Sequence, residues 1–168
     1  MLPDYLAPNL DIVFVGINPG TYSDRVGHYF ARKTNLFWTA LYESGLVPVP
    51  LKPEDDSRVL EFGYGLTDIV KRATPNTSHV AGDEFKAGAR VLKDKLMRLT
   101  PRLICFVGLV GYRQGFDPKA VLGPQEERWG TSQLFIVPST SPRNAHYRPE
   151  TVQWFVRLKN YSENIEKS

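Results

Sequence analysis

Asn18 is the residue best suited to chemistry. It stands in Val13-Phe14-Val15-Gly16-Ile17-Asn18-Pro19-Gly20, where an apolar, β-rich run breaks at Gly and Pro. Such a run reads as a core strand of a parallel sheet, and in such sheets ligands bind beyond the carboxyl ends of the strands. An amide at that point can orient a water molecule but cannot take up a proton as a carboxylate can. Pro19 fixes its own φ and biases Asn18 toward extended backbone, while Gly20 permits a turn or the close approach of a ligand. The same residues equally fit a plain tight turn with Asn chosen for its backbone habits.

Two further groups carry chemical potential. Gly27-His28-Tyr29-Phe30 places aromatics shortly after Asn18. A planar heterocycle such as a nucleobase could stack on one of them while backbone amides bind its carbonyl groups; core plugs would look the same. Pro138-Ser139-Thr140-Ser141-Pro142-Arg143-Asn144-Ala145 offers three hydroxyls able to hold a phosphate, then a long cation able to enter a duplex. An ordinary Ser/Thr-rich loop has that composition too.

Other chemistries lose support from residue types alone. Three histidines, none in a pattern with Cys and carboxylates at metal-ligand spacing, argue against a metal site. There is no Walker lysine loop, no Gly-x-Gly-x-x-Gly turn and no Gly-x-Ser-x-Gly elbow. The single Cys105 lies within the apolar run Leu103-Ile104-Cys105-Phe106-Val107, where it reads as a small core hydrophobe. An intrachain disulfide is excluded, and a reducing cytoplasm is the expected location. No apolar stretch approaches a membrane span, and Met1-Leu2-Pro3-Asp4 lacks signal-peptide character. A net charge of +3 is compatible with a polyanionic partner without requiring one. The basic residues do gather, in Arg25, His28, Arg32 and Lys33 and again in Arg143, His146 and Arg148, each time after a strand.

The elements that must position these groups alternate along one domain of 168 residues, with no repeat or linker composition. Thr34 is expected to cap a helix in which Phe37, Ala40 and Leu41 share a face, ending near Gly45. Pro53 to Phe62 suits a short helix, and Tyr64 to Val70 a turn or short strand. Asp83 is expected to open the clearest helix, with Phe85, Ala89, Leu92, Leu96 and Leu99 in one stripe that Pro101 ends. Arg102 to Gly108 reads as a second strand, followed by a short helix through Tyr112 and an irregular span from Asp117 to Thr131. Leu134 to Pro138 is a third strand, and Pro149 sits in the first turn of a last helix with Val152, Phe155 and Leu158 inward. The order predicts an α/β fold, a three-layer α/β/α sandwich with a mostly parallel central sheet. Asn18, Gly108 and Ser139 should then converge on one crevice.

In combination these segments resemble the mismatch-specific uracil and thymine DNA glycosylases, a branch of the uracil-DNA glycosylase superfamily. Gly16-Ile17-Asn18-Pro19-Gly20 resembles the first active-site motif. Asn35-Leu36-Phe37-Trp38 with Ser44-Gly45-Leu46 resembles the next segment, and Gly65-Leu66-Thr67-Asp68-Ile69-Val70 and Pro138 to Arg143 match later landmarks in order. The resemblance implies that Asn18 positions the water attacking C1′ of a flipped deoxynucleotide. Phe30, beside Tyr29, would stack on the base, and amides near Ile17 and Phe30 would bind its edge. Gly20 and Ser23 would line the pocket, Ser139 and Ser141 would grip the backbone, and Arg143 would fill the vacated stack. It also implies a monomer acting on duplex DNA, without metal or cofactor and without membrane association.

Two residues depart from the family pattern. Asp68 stands where relatives often have lysine or asparagine; a carboxylate there could activate water or stabilise a sugar cation, or could simply cap a turn before Ile69. Leu109 follows Gly108 where relatives commonly have lysine, which removes one phosphate contact. No lysine in the motifs is placed to form a Schiff base, so Lys71 and Lys93 read as solvated and the expected reaction is hydrolysis alone. A lesion-binding module with little catalysis and a flavodoxin-like small-molecule binder are the competing readings.

Overall fold

The structure, a computed structural model, describes residues 1–141 and 148–166. Its centre is a five-stranded sheet in the order β2-β1-β3-β5-β4, formed by β1 (Ile12–Gly16), β2 (Tyr64–Asp68), β3 (Leu103–Val107), β4 (Gly123–Trp129) and β5 (Ser132–Val137). The first four of these in sheet order run parallel, and only β4 is antiparallel. The helices are α1 (Thr21–Val26), α2 (Phe37–Glu43), α3 (Gly82–Leu99), α4 (Leu109–Gly115) and α5 (Arg148–Glu166), with a 3-10 helix over Pro53–Phe62.

Strand periodicity explains why helices cover both faces. Ile12 and Phe14 of β1, Leu103, Cys105 and Val107 of β3, and Phe135 and Val137 of β5 enter one core with Phe37, Ala40 and Leu41 of α2 and Phe155 and Leu158 of α5. Val13 and Val15, Ile104 and Phe106, and Leu134 and Ile136 alternate into a second core with Phe85, Ala89, Leu92 and Leu96 of α3. The predicted three-layer α/β/α sandwich is the observed architecture. Phe14 anchors the first core, edge-on to Phe37 at 5.3 Å and stacked with Phe155 at 6.3 Å. Full burial of each such ring contributes roughly 1.5–3 kcal/mol.

Local expectations needed several corrections. Thr34 does not cap α2: Leu36 is the N-cap, and the side chain of Asn35 accepts the Phe37 amide at 3.0 Å. Asp83 does not open α3, whose N-cap is Ala81, with the Glu84 carboxylate accepting the Ala81 amide at 3.3 Å. The span after Asp117 is not wholly irregular, because Gly123–Trp129 pairs along the outer edge of β5. Its polar, mostly exposed residues hide the strand period, as suits an edge strand. The short strand allowed for within Tyr64 to Val70 is β2, and β4 is the strand the sequence reading lacked.

Helix α3 seats on the segment that follows β2 through Gly88. A Cβ there would lie 2.2 Å from the Ile69 carbonyl oxygen. Gly→Ala inside a helix ordinarily stabilises by about 1 kcal/mol. Gly88→Ala should instead destabilise by roughly 1–3 kcal/mol, because backbone must move to admit the methyl group. Urea midpoints would show this loss, with Gly82→Ala, which meets nothing within 4 Å, as the unperturbed control.

Candidate active site

Beyond the ends of β1 and β2 the parallel pairing continues. The Ile69 amide donates to the Gly16 carbonyl at 2.9 Å, Val70 to Ile17 at 2.9 Å and Thr74 to Pro19 at 3.2 Å. These bonds bring the Asn18 turn alongside residues 69–74, with Gly16 in register with Asp68.

The Asn18 amide is locked. Its Nδ2 donates to the Arg72 carbonyl at 2.9 Å and to Thr74 Oγ1 at 2.8 Å. Thr74 in turn spends its hydroxyl proton on the Asn76 carbonyl at 2.7 Å, so its oxygen can only accept from Asn18. Both neighbours are acceptors, which fixes the amide orientation and leaves Oδ1 without a donor among the described residues. Thr74, fully buried at 1% exposure, is a positioning residue that sequence reasoning missed.

Asp68 is the unusual group. It is 5% exposed, and its Oδ2 is buried with no hydrogen-bond partner among the described residues. The nearest cation, the Lys71 ammonium, stands 4.0 Å away. Burial pushes the carboxyl up to about 7, against the pull of Lys71 and with a smaller push from Asp4. Such a group can accept a proton near neutrality. Gly16 makes room for it: a Cβ at residue 16 would meet Asp68 Oδ1 at 2.7 Å and the Phe30 ring at 3.6 Å. The amide-bearing turn, the carboxylate and the aromatic thus gather around one strand end.

Phe30 has φ of +50°, a strained conformation for an aromatic residue. Its neighbours hold it there. The Tyr29 amide donates to Asp56 Oδ2 at 3.0 Å, the Tyr29 carbonyl accepts from Trp38 Nε1 at 3.0 Å, and the Ala31 amide donates to Ser23 Oγ at 3.0 Å. Strain of about 1–3 kcal/mol is offset by bonds of this number. Phe30 stacks on Phe37 at 4.2 Å and is only partly buried.

The remaining candidates divide. Tyr29 is 2% exposed, and its hydroxyl donates to the Pro3 carbonyl at 2.7 Å; its ring belongs to the core and offers a base no face. Ser23 is buried and braces Ala31. Gly20 has φ of −69°, so the turn does not need glycine, but open space lies beside it. Ile17 packs against Gly108 and Gly111, and Gly108 also faces Ser139, so the ends of β1, β3 and β5 do adjoin. Ser139 Oγ accepts the Ser141 amide at 3.2 Å. Arg143 and His146 lie outside the described residues. Tyr22 lies between Arg25 and Arg32, with their guanidinium carbons 5.4 and 5.2 Å from its ring. Neither lysine expected to be solvated is free: Lys93, half-buried, pairs with Glu127 at 3.7 Å, and Lys71 is tied to Asp4, whose carboxylate it shares with Lys95. Among the described residues no group of three His, Cys, Asp or Glu side chains could hold a metal.

Because the folded-state pKa of Asp68 lies above that of an unfolded aspartate, its protonation favours folding at low pH, and that advantage is lost as pH rises toward 7. Asp68→Asn should therefore be the more stable protein above about pH 7, by on the order of 2–4 kcal/mol, with the gain gone below about pH 4. Denaturation midpoints at the two extremes would measure it; equal midpoints would show that the carboxylate is not buried as described.

A Methanosarcina acetivorans protein, solved by solution NMR and named as a candidate uracil DNA glycosylase, shares the fold with a TM-score of 0.64 and 23% identity, over 94% of this chain and 96% of its own. The family profile of the uracil DNA glycosylase superfamily matches residues 3–161, a span that contains the Asn18 turn, Asp68 and the Phe30 loop. The chain belongs to the uracil DNA glycosylase superfamily.

Proposed function

We propose that this protein is a monofunctional DNA glycosylase that flips uracil, and more slowly thymine, out of duplex DNA opposite guanine and hydrolyses the N-glycosidic bond. The observation that carries the reading is the buried, unpartnered Asp68 carboxylate beside an Asn18 whose amide is locked with one acceptor open. Water held by Asn18 Oδ1 loses its proton to the Asp68 carboxylate as its oxygen attacks C1′. The bond from C1′ to the base nitrogen breaks, and its electron pair leaves with the base. Phe30 stacks on the extruded ring while backbone amides near Ile17 and Phe30 stabilise the departing anion.

Flipping costs a few kcal/mol and least at a mispair, which is the physical ground for preferring G·U and G·T. Uracil leaves more readily than thymine and lacks the 5-methyl group. Ser139 and Ser141 would hold the phosphates and Arg143 would fill the vacated stack, with Arg25 and Arg32 adding charge on the same edge. The enzyme would act as a monomer in the cytoplasm, a setting that suits its lone buried Cys105.

Single-turnover release of uracil from labelled G·U, A·U and G·T duplexes tests the assignment. Asp68→Asn should slow release by about 10²-fold or more, a typical contribution of a general base, and Asn18→Ala should slow it less while leaving duplex binding intact. The wild-type rate should rise with pH and level off above about 7, the range in which Asp68 ionises, and Asp68→Asn should lose that rise. No release from any wild-type duplex, with tight binding to abasic DNA, would instead make the protein a lesion-binding module.

A further inference from the structure

Lys71 sits between two carboxylates and serves them unequally. Its ammonium hydrogen-bonds Asp4 Oδ1, lies 3.4 Å from the Tyr29 hydroxyl and stays 4.0 Å from Asp68 Oδ2. Asp4 outcompetes Asp68 because it is better held. Thr67 Oγ1 donates to it at 2.7 Å from β2, Lys95 Nζ at 2.7 Å from α3, and the Tyr5 to Leu66 bridge fastens the segment carrying it. These donors keep the Asp4 carboxyl below its usual value although burial pushes it up.

The groups facing Asp68 are few. Phe30 and Gly16 approach it from the loop and β1 sides without charge. The Tyr29 phenol, pushed well above its ordinary range by burial and by nearby carboxylates that include Asp68, stays neutral. Asp56 faces it only across Tyr29, whose amide it binds. Arg72 is turned to Glu84 and the His79 carbonyl, and Lys95 to Asp4. Among the described residues only Lys71 and Asp4 act on Asp68 as charges at short range.

We propose that Lys71 and Asp4 are positioning residues for catalysis, with Asp4 holding the Lys71 ammonium just beyond hydrogen-bond reach of Asp68, so that the anion is supported while its Oδ2 takes no hydrogen bond from the cation. The proposal rests on Asp68 being the base. A direct Lys71–Asp68 bond would lower the carboxyl further and make the anion a weaker base, and no cation at all would leave the buried carboxyl protonated at neutral pH. A recess of about 380 Å³ between the end of β2 and α3 is lined by Asp68, Lys71, Arg72 and Lys95.

The test titrates the Asp68 carboxyl by carbon-detected NMR in the DNA-free full chain, beside the pH profile of single-turnover uracil release. Lys71→Gln should raise the Asp68 midpoint and Asp4→Asn should lower it, each by about one pH unit, while Lys71→Arg stays near wild type. Well below the wild-type midpoint, release should then be about tenfold slower in Lys71→Gln and up to about tenfold faster in Asp4→Asn. Midpoints that do not move, or that move the same way in both variants, overturn the proposal. Opposite shifts in the carboxyl titration without matching shifts in the rate profile would keep the pair as the control on Asp68 and remove Asp68 as the base. If Asp4→Asn does not fold, the contrast between Lys71→Gln and Lys71→Arg decides, since only loss of the charge should move the midpoint.

Discussion

The backbone ladder that runs past the ends of β1 and β2 is the constraint on which the site depends. Its bonds from Ile69, Val70 and Thr74 to Gly16, Ile17 and Pro19 lay one loop against another before any side chain is considered. Once the two loops are in register, Asn18 finds its acceptors at Arg72 and Thr74, and Asp68 falls beside Gly16. Two aligned backbones thus do what no local motif could: they place an oriented amide and a buried acid at one strand end. The ladder is held in turn by α3, which approaches so closely at Gly88 that the segment after β2 is pressed between helix and sheet.

Polar groups at this strand end are arranged against stability. A carboxylate with a buried, unbonded oxygen is costly, and so is a left-handed Phe30. Both persist because the surroundings over-determine them: two large apolar cores fix the sheet, and Asp56, Ser23 and Trp38 pin the loop on both sides of Phe30. Strain concentrated at a cleft and supported by dense packing elsewhere is the usual mark of a pre-organised site. Here it yields a carboxyl raised to about 7 beside a partly buried aromatic ring.

Charge is distributed by the same logic. Asp4, Lys71 and Lys95 form a network at the sheet edge, Arg72 is taken up by Glu84, and the arginines after α1 lie over Tyr22. The cations nearest the carboxylate are committed to partners. A modest net charge of +3 conceals this division.

The sequence by itself determined the layered architecture. Alternating apolar residues in β1, β3 and β5 demand cover on both faces, and the stripe from Phe85 to Leu96 supplies one cover whatever the loops do. It also marked Asn18 and Phe30, since a strand broken by Gly and Pro, followed by aromatics, is a local pattern. It hid β4 behind polar edge residues, and it misjudged the helix caps because several nearby side chains compete for the same amides. Asp68 could be named from the sequence but not interpreted, because its state depends on burial and on Lys71 and Asp4 rather than on Thr67 and Ile69. Thr74, Asp56 and Asp4 gave no signal at all: they lie far along the chain from the groups they hold, and only the register of β1 with β2 and the approach of the N-terminal segment make them neighbours. Local patterns follow from chain periodicity and burial, whereas protonation and orientation at the site depend on distances that exist only after the sheet has closed.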